Sequence, residues 1–323
     1  MIKLILKRLI TMVPLLLIMS FITFAFLNLA PGNFLSSIKM NPAYSEETIK
    51  MLEHQYHLDK DIFTRYLIWL KDVARLDFGY SFIFKRPVGQ IIGSRVATTL
   101  LLSISSFLFT WLIAIPLGII CAIYRNKFID KFISIFSFAS LSMPSFFLAL
   151  LLLYFASTTG ILPAGGFTSP NYNKLSAFGK ILDILKHLIL PTIVIGITSM
   201  AGLIRITRGN FSEVLSEEYI LAARAKGISN FRVFYIHALK NAINPLITIF
   251  GYNISSLLSG AALTEIICSW PGLGSIMLKA ARSQDIYLVM TSMLIGGIML
   301  IIGNLIADIL LALNDKRIKI HSS

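Results

Sequence analysis

Six long runs of apolar residues constrain this chain more than any other feature. They cover residues 9–29, 99–123, 132–155, 188–204, 242–263 and 286–313. About 20 apolar residues in a helix cross the roughly 30 Å hydrocarbon core of a bilayer. Only helices or closed barrels survive there, because every backbone polar group must be satisfied without water. Barrel strands alternate apolar and polar residues, and these runs do not. The runs predict six transmembrane helices in an all-α integral membrane protein, the fourth span being the shortest. Composition agrees: 56% of the 323 residues are apolar and 14% charged, against about 45–50% and about 25% in soluble domains. An ordinary soluble enzyme is excluded. Lys3, Lys7 and Arg8 precede the first run as in a signal peptide. The run is longer than the usual stretch of about 7–15 residues, and Asn28-Leu29-Ala30-Pro31-Gly32 supplies no small-residue cleavage site, so an uncleaved helix is expected.

The net charge is +13. A basic excess can mean nucleic acid, an anionic membrane or a topology signal. An even number of spans puts both termini on one side. That side holds residues 1–8, 124–131, 205–240 and 314–323, with 15 Lys and Arg. The opposite side has 14 basic residues spread over about twice the length. The positive-inside rule makes the terminal side cytoplasmic. No compact basic domain remains, so no nucleic-acid partner is expected; the solvent partner is membrane lipid.

Two segments lie outside the spans. In 30–98, Ser45-Glu46-Glu47-Thr48 followed by Ile49, Leu52 and Tyr56 predicts a capped amphipathic helix with acids in its first turn. Tyr66, Leu67, Trp69, Leu70, Val73 and Leu76 predict a second. Such helices would lie in the interface or cap the bundle. Asp77-Phe78-Gly79-Tyr80-Ser81 reads as a turn. His54 and His57 have no Cys or further His nearby, so a solvated face is favoured over a metal site. In 205–240, Ser216 is the expected N-cap of a helix over 217–226, rich in Ala, with Gly227 at the left-handed position after it and Ser229 capping the next helix. By pattern alone this short helix is either a connector or a docking knob.

The fifth run carries Gly251, Ser255 and Ser259 at i, i+4 spacing. That stripe serves close helix packing or the wall of a path. Asn253 lies on another face, where it can bond across helices. Glu265 at the end of this run either attracts a cationic group or caps the loop. Trp270 is an interfacial anchor or a group at the mouth of a path. Asp308 in the last run is read as an ion-pair partner of Lys316 and Arg317. Pro116 and Pro144 predict helix kinks. Cys121 and Cys268 are too few for a disulfide scaffold and fall in different compartments. The chain has no G-x-x-x-x-G-K-[ST] phosphate loop, and no spacing suggests a catalytic or metal set.

The sequence Glu218-Tyr219-Ile220-Leu221-Ala222-Ala223-Arg224-Ala225-Lys226-Gly227, then His237-Ala238-Leu239-Lys240-Asn241-Ala242 and Pro245, resembles the coupling-loop motif of bacterial ATP-binding-cassette importer permeases. Ala222, Ala223, Gly227 and Leu239 hold the general pattern. Leu221, His237 and Lys240 replace its Glu, Ile and Pro, in the manner of the dipeptide/oligopeptide/nickel subfamily. Leu29-Ala30-Pro31-Gly32, Phe78-Gly79-Tyr80-Ser81, Ser142-Met143-Pro144-Ser145-Phe146, Leu190-Pro191-Thr192 and Ser269-Trp270-Pro271-Gly272-Leu273-Gly274 also resemble that family. The long segment after the first span resembles the B-type subunit.

The resemblance implies the type I importer permease fold, with an N-terminal helix (1–30), an extracytoplasmic segment (31–98), a five-helix permease core (99–313) containing coupling loop 205–240, and a cytoplasmic tail (314–323). It implies half of a pore in the bacterial cytoplasmic membrane, completed by a homologous second permease subunit. Two ATPase subunits would bind ATP and magnesium, and an extracytoplasmic binding protein would deliver a peptide. This chain would hold no cofactor or metal and catalyse nothing. Glu218, Tyr219, Ala222, Ala223, Arg224, Lys226 and Gly227 would form the ATPase-coupling helix, with Ala222 and Ala223 as its small face. Asn253, Ser255, Ser259, Glu265 and Trp270 are the residues expected along the path. Nickel or a metal chelate is the alternative cargo within the family. A self-sufficient secondary transporter would show inverted repeats and midplane charges, which the sequence lacks.

Overall fold

The computed structural model describes residues 2–29, 45–55, 57, 59–242, 245–247, 249–250 and 262–314. The expected fifth span falls largely outside the described residues. The chain divides into two compact units: Ile2–Thr99 with Pro271–Ile301, and Leu100–Trp270 with Ile302–Ser323.

The first unit begins with helix α1 (Ile2–Leu29), whose Ile10–Leu29 stretch is apolar enough to cross a membrane. Helix α2 (Glu46–Gln55) starts where the sequence predicts: the Thr48 amide donates to Ser45 Oγ at 3.2 Å. Helix α3 (Ile62–Ala74) has a cap that the apolar pattern hides. The Asp61 carboxylate accepts from the Thr64 amide at 2.9 Å and the Thr64 hydroxyl at 2.6 Å. The Thr64 side chain and then its amide hold the Asp61 carboxyl below the usual carboxylate value. A two-stranded antiparallel hairpin follows, β1 (Tyr80–Ser81) with β2 (Arg86–Pro87). The predicted turn before it is present, with Asp77 Oδ1 accepting from the Gly79 amide at 2.9 Å. Gly79 has φ +78, and a Cβ there would sit 3.0 Å from the Tyr287 ring. The hairpin is tied down by Asp285, whose Oδ2 accepts from Ser81 Oγ at 2.6 Å and from the Ile83 amide at 3.3 Å. Helix α4 (Val88–Ile123) starts in this unit and ends in the other.

In the second unit, the expected third span is not a kinked helix. It is two helices, α5 (Phe128–Ser142) and α6 (Ser145–Thr159), bent by 103°. Pro144 removes a backbone donor, and its ring forces the preceding residue out of the helical region. Met143 accordingly has ψ 122 and Pro144 ψ 137. Pro116 and Pro191, by contrast, lie inside unbroken helices.

The expected short fourth span is instead α7 (Ala177–Leu215), at 39 residues the longest helix among the described residues. It is about 58 Å long, near twice the hydrocarbon thickness. Lys180, Asp183, Lys186, Arg205 and Arg208 bound its apolar window but not its helix. Ser176 caps it, accepting from the Gly179 amide at 3.2 Å. Two glycines bring α4 and α7 together. Gly118 faces Thr207 and the Ile204 carbonyl, and Gly196 faces the Phe109 ring.

Beyond α7 come the short helix α8 (Glu218–Ala225), then Asn230–Arg232 widening into a π-helical turn over Val233–Ala238. Helix α9 (Ala262–Ile267) packs on α6 and α7. Helix α10 (Leu273–Arg282) and the first half of α11 (Ile286–Asn314) belong to the other unit. Among the described residues four helices, α1, α4, α7 and α11, are long and apolar enough to cross a membrane, or five if the bent pair is one span.

Candidate functional site

The loop between the fourth and fifth apolar runs folds into a small knob around α8. Ser216 does not cap it. Ser216 is the last turn of α7, its hydroxyl donating to the Glu213 carbonyl at 2.6 Å. Helix α7 runs eleven residues past the end of the apolar run, so the N-cap passes to Glu217, whose backbone is extended (φ −66, ψ 144). The far end is as the glycine predicts. Gly227 has φ +73. Its amide donates to the Arg224 carbonyl at 2.9 Å, and the Ile228 amide donates to the Ala223 carbonyl at 3.2 Å. This paired closure satisfies two terminal carbonyls and reverses the chain.

One stripe of α8 is turned inward. Ile220 is fully buried and Ala223 nearly so, packed with Phe211, Val233, Ala238 and Ala242, and with Ile119 and Ala122 from α4. Glu218, Tyr219, Leu221, Ala222, Arg224, Lys226 and Gly227 are exposed. Adjacent helical residues point about 100° apart. Ala222 and Ala223 therefore do not form one small face: Ala223 seats the knob on its own chain, and Ala222 belongs to the outer surface. Tyr219 and Leu221 stay 42% and 54% exposed, making that surface partly apolar. The Tyr219 hydroxyl accepts from the Asn241 side-chain amide at 2.7 Å. The Arg224 guanidinium lies 5.7 Å from the Phe234 ring centroid. Together these tie α8 to the 230–242 stretch that follows it.

A second anchor was not apparent from sequence. Arg208, two turns before the end of α7, grips Asp130 near the start of α5 with both Nε and Nη2 at 2.7 Å. The Asn126 amide donates to the same carboxylate at 2.8 Å. The pair is charge-assisted, with its hydrogen bond made by Nη2. The signal available was a lone acid among Arg125, Lys127 and Lys131.

The residues expected along a path divide in two. Gly251, Asn253, Ser255 and Ser259 lie outside the described residues. Glu265 and Trp270 share one turn, the Trp270 amide donating to the Glu265 carbonyl at 2.7 Å. Both are 1% exposed. Trp270 packs with Leu102 and Leu188 and meets Phe167 edge-on at 5.0 Å. The same turn holds the 160–176 loop, because the Cys268 carbonyl accepts from the Gly166 amide at 2.8 Å. Burial pushes the Cys268 thiol up to about 12. His54 is paired with Asp59 at 3.2 Å on an exposed face.

Comparison with known proteins gives a consistent result. Residues 114–320 match the family model of binding-protein-dependent transport system inner membrane components, and residues 1–105 match the model of their N-terminal segment. The chain is 37% identical over 317 residues to the oligopeptide transport system permease protein AppB of Bacillus subtilis, covering 98% of each chain. It is 34% identical to the dipeptide transport system permease protein DppB of Alkalihalophilus pseudofirmus, covering 97% of this chain and 98% of the relative. The Escherichia coli K12 protein named DppB is 32% identical over 99% of each. Among solved structures, an inward-facing MetNI methionine ABC transporter chain matches with a TM-score of 0.50 and 17% identity, over 68% of this chain and 96% of the other. At that identity the likeness concerns the fold.

Proposed function

The chain belongs to the binding-protein-dependent transport system inner membrane components, and from that premise we propose that it is one permease half of an ATP-driven peptide importer. The observation that carries this reading is identity of 32–37%, across nearly the whole of both chains, to permeases named for oligopeptides and dipeptides. Nickel or a metal chelate is the weaker cargo, since these relatives are named for peptides. A self-sufficient secondary transporter does not fit a family that depends on a binding protein.

In this reading six spans cross the inner membrane, with both termini and the α8 knob on the cytoplasmic side. A homologous permease completes the pore. Two ATPase subunits carry ATP and magnesium and perform the hydrolysis, while this chain performs no chemistry. An extracytoplasmic binding protein supplies the peptide. Tyr219, Leu221, Ala222, Arg224 and Lys226 form the surface that enters an ATPase groove, and Glu218 sits at its leading end. Ala223 and Gly227 keep the knob's shape. A rigid knob continuous with a 39-residue helix turns ATPase closure into motion of the spans, which is alternating access by rigid-body rocking. Ser255, Ser259, Asn253, Glu265 and Trp270 remain the candidate path residues, the last two joined through their backbones in one turn.

The test is purification followed by reconstitution. A tagged chain should bring down two ATPases and a second permease. Proteoliposomes should then take up a labelled peptide when ATP and the binding protein are present. Uptake of nickel but no peptide, or transport by the chain alone, would overturn the proposal.

A further inference from the structure

The segment after the first span was read as extracytoplasmic, yet α3 packs against the middle of a membrane-crossing helix. The Tyr66 hydroxyl donates to the Leu17 carbonyl at 3.0 Å and lies 2.8 Å from Ser20 Oγ. Phe21 meets Phe63 at 5.8 Å and Tyr66 at 5.2 Å, and Tyr66 reaches Phe24 at 5.7 Å. Leu17 is twelve residues from Leu29 and seven from Ile10, the ends of the apolar stretch. At 1.5 Å per residue those are about 18 Å and about 10 Å along the helix axis. The contact is therefore deep within a roughly 30 Å hydrocarbon layer. A tyrosine hydroxyl spent on a helix carbonyl and a serine, both within the chain, fits surroundings without water.

The residues of α3 sort by side, with half-buried Arg65 and Asp72 together on one of them and the Arg65 guanidinium 5.7 Å from the Phe24 ring centroid. Tyr66 and Trp69 are buried against α1, with Val73 beside them. Thr64, Lys71 and Arg75 lie on the far side. Between them Phe63 and Leu67, at i and i+4, are 61% and 52% exposed. On α1, Ile18, Ile22 and Phe26 are 60%, 47% and 71% exposed over the same stretch. In water this would be a continuous apolar surface of the kind that monomeric soluble proteins avoid.

We infer that α3 is embedded in the bilayer as a lateral helix, with the Phe63–Leu67 edge in contact with lipid acyl chains. Lys71 and Arg75 are exposed on the far side of α3, where long stems can carry their charges away from the acyl chains. The inference needs only that α1 crosses the membrane; it is independent of cargo and of partner ATPases.

Spin labels test it in the assembled importer in lipid nanodiscs, at Phe63→Cys, Leu67→Cys, Arg75→Cys and Glu47→Cys. The native thiols of this chain, Cys121 and Cys268, are buried. Labels at 63 and 67 should collide several-fold more with oxygen, which concentrates in lipid, than with a water-soluble nickel chelate. Labels at 47 and 75 should show the reverse preference. Should Phe63→Cys fail to assemble, Leu67→Cys carries the test, since its side chain is more than half exposed. Equal chelate access at 67 and 75 would make the face aqueous, and protection of 67 from both reagents would mean a protein covers it. Either result overturns the inference.

Discussion

Gly118 and Gly93 lie in the same helix, α4, and the same substitution should move stability in opposite directions. A Cβ on Gly118 would lie 2.6 Å from Thr207 Cβ and 2.9 Å from the Ile204 carbonyl oxygen. Carbon atoms prefer about 3.5–4.0 Å, so α4 and α7 would have to separate by up to about 1 Å. Both obstructing atoms are fixed to the α7 backbone, so no rotamer change relieves the clash. Overpacking of this kind costs about 1–3 kcal/mol. The gain in helix preference from Gly to Ala returns about 0.5–1 kcal/mol, leaving Gly118→Ala destabilised by up to about 2.5 kcal/mol. A Cβ on Gly93 would meet nothing within 4 Å, so Gly93→Ala keeps the whole gain of about 0.5–1 kcal/mol. With about 2–4 °C per kcal/mol for a unit of this size, Tm should fall by up to roughly 10 °C for Gly118→Ala and rise by roughly 1–4 °C for Gly93→Ala. Fluorescence-detected size-exclusion of the heated, tagged importer measures both. If Gly118→Ala tracks Gly93→Ala upward, the close approach of α4 to α7 is wrong.

Three further substitutions bear on the knob, its anchor and the hairpin. Ala223→Leu should cost about 1–3 kcal/mol by overfilling the seat of α8 and leave ATP hydrolysis running without uptake, while Ala222→Leu should stay within about 0.5 kcal/mol of wild type; paired hydrolysis and uptake assays with a thermal melt separate them. Arg208→Ala leaves the 3%-exposed Asp130 carboxylate without its partner. It should cost about 3 kcal/mol, the low end for a broken buried pair because Arg208 itself is one-third exposed. Adding Asp130→Asn should recover part of that loss in a double-mutant cycle. Burial raises the Asp285 carboxyl above 3.8 despite the hydrogen bond from Ser81. The folded chain therefore holds this proton more tightly than the unfolded one, and stability falls as pH climbs from 3.8 through the raised value. Asp285→Asn should flatten that slope, read as the Tm difference from wild type between pH 4 and pH 7.

The spans were legible wherever apolarity alone decides the structure. The ends of helices were not, because helix formation continues through polar residues that close a hydropathy window. Ser176 starts α7 about twelve residues before the apolar run, and Ser216 ends it about eleven after. Proline shows the same limit. The sequence marks Pro116 and Pro144 alike as kinks, yet only Pro144 breaks its helix. Pro116 and Pro191 both stay inside continuous helices, the first exposed and the second buried, so burial of the proline does not decide the outcome. The two-residue hairpin strands escaped notice for a related reason. They exist because Asp285, about 200 positions away in sequence, collects the Ser81 hydroxyl and the Ile83 amide.

The knob was legible as a motif but not as a surface. Gly227 announced its left-handed turn, and the structure closes the helix there with φ +73. Which residues face outward depends on what lies beneath, and that is set by Phe211, Val233 and Ala238, none of them in the alanine-rich stretch. The i, i+3 pair Ile220 and Ala223 fits that floor, so Ala222 is turned out by helical geometry alone. The outer surface then owes its character to Tyr219, Leu221, Arg224 and Lys226. This changes what the alanines are for. An exposed Ala222 keeps the outer surface low at that point, whereas a buried Ala223 fixes how far α8 stands from the floor beneath it. A side chain larger than alanine at 223 shifts the whole surface without altering any residue on it, and under the proposed function such a shift would weaken transmission more than docking.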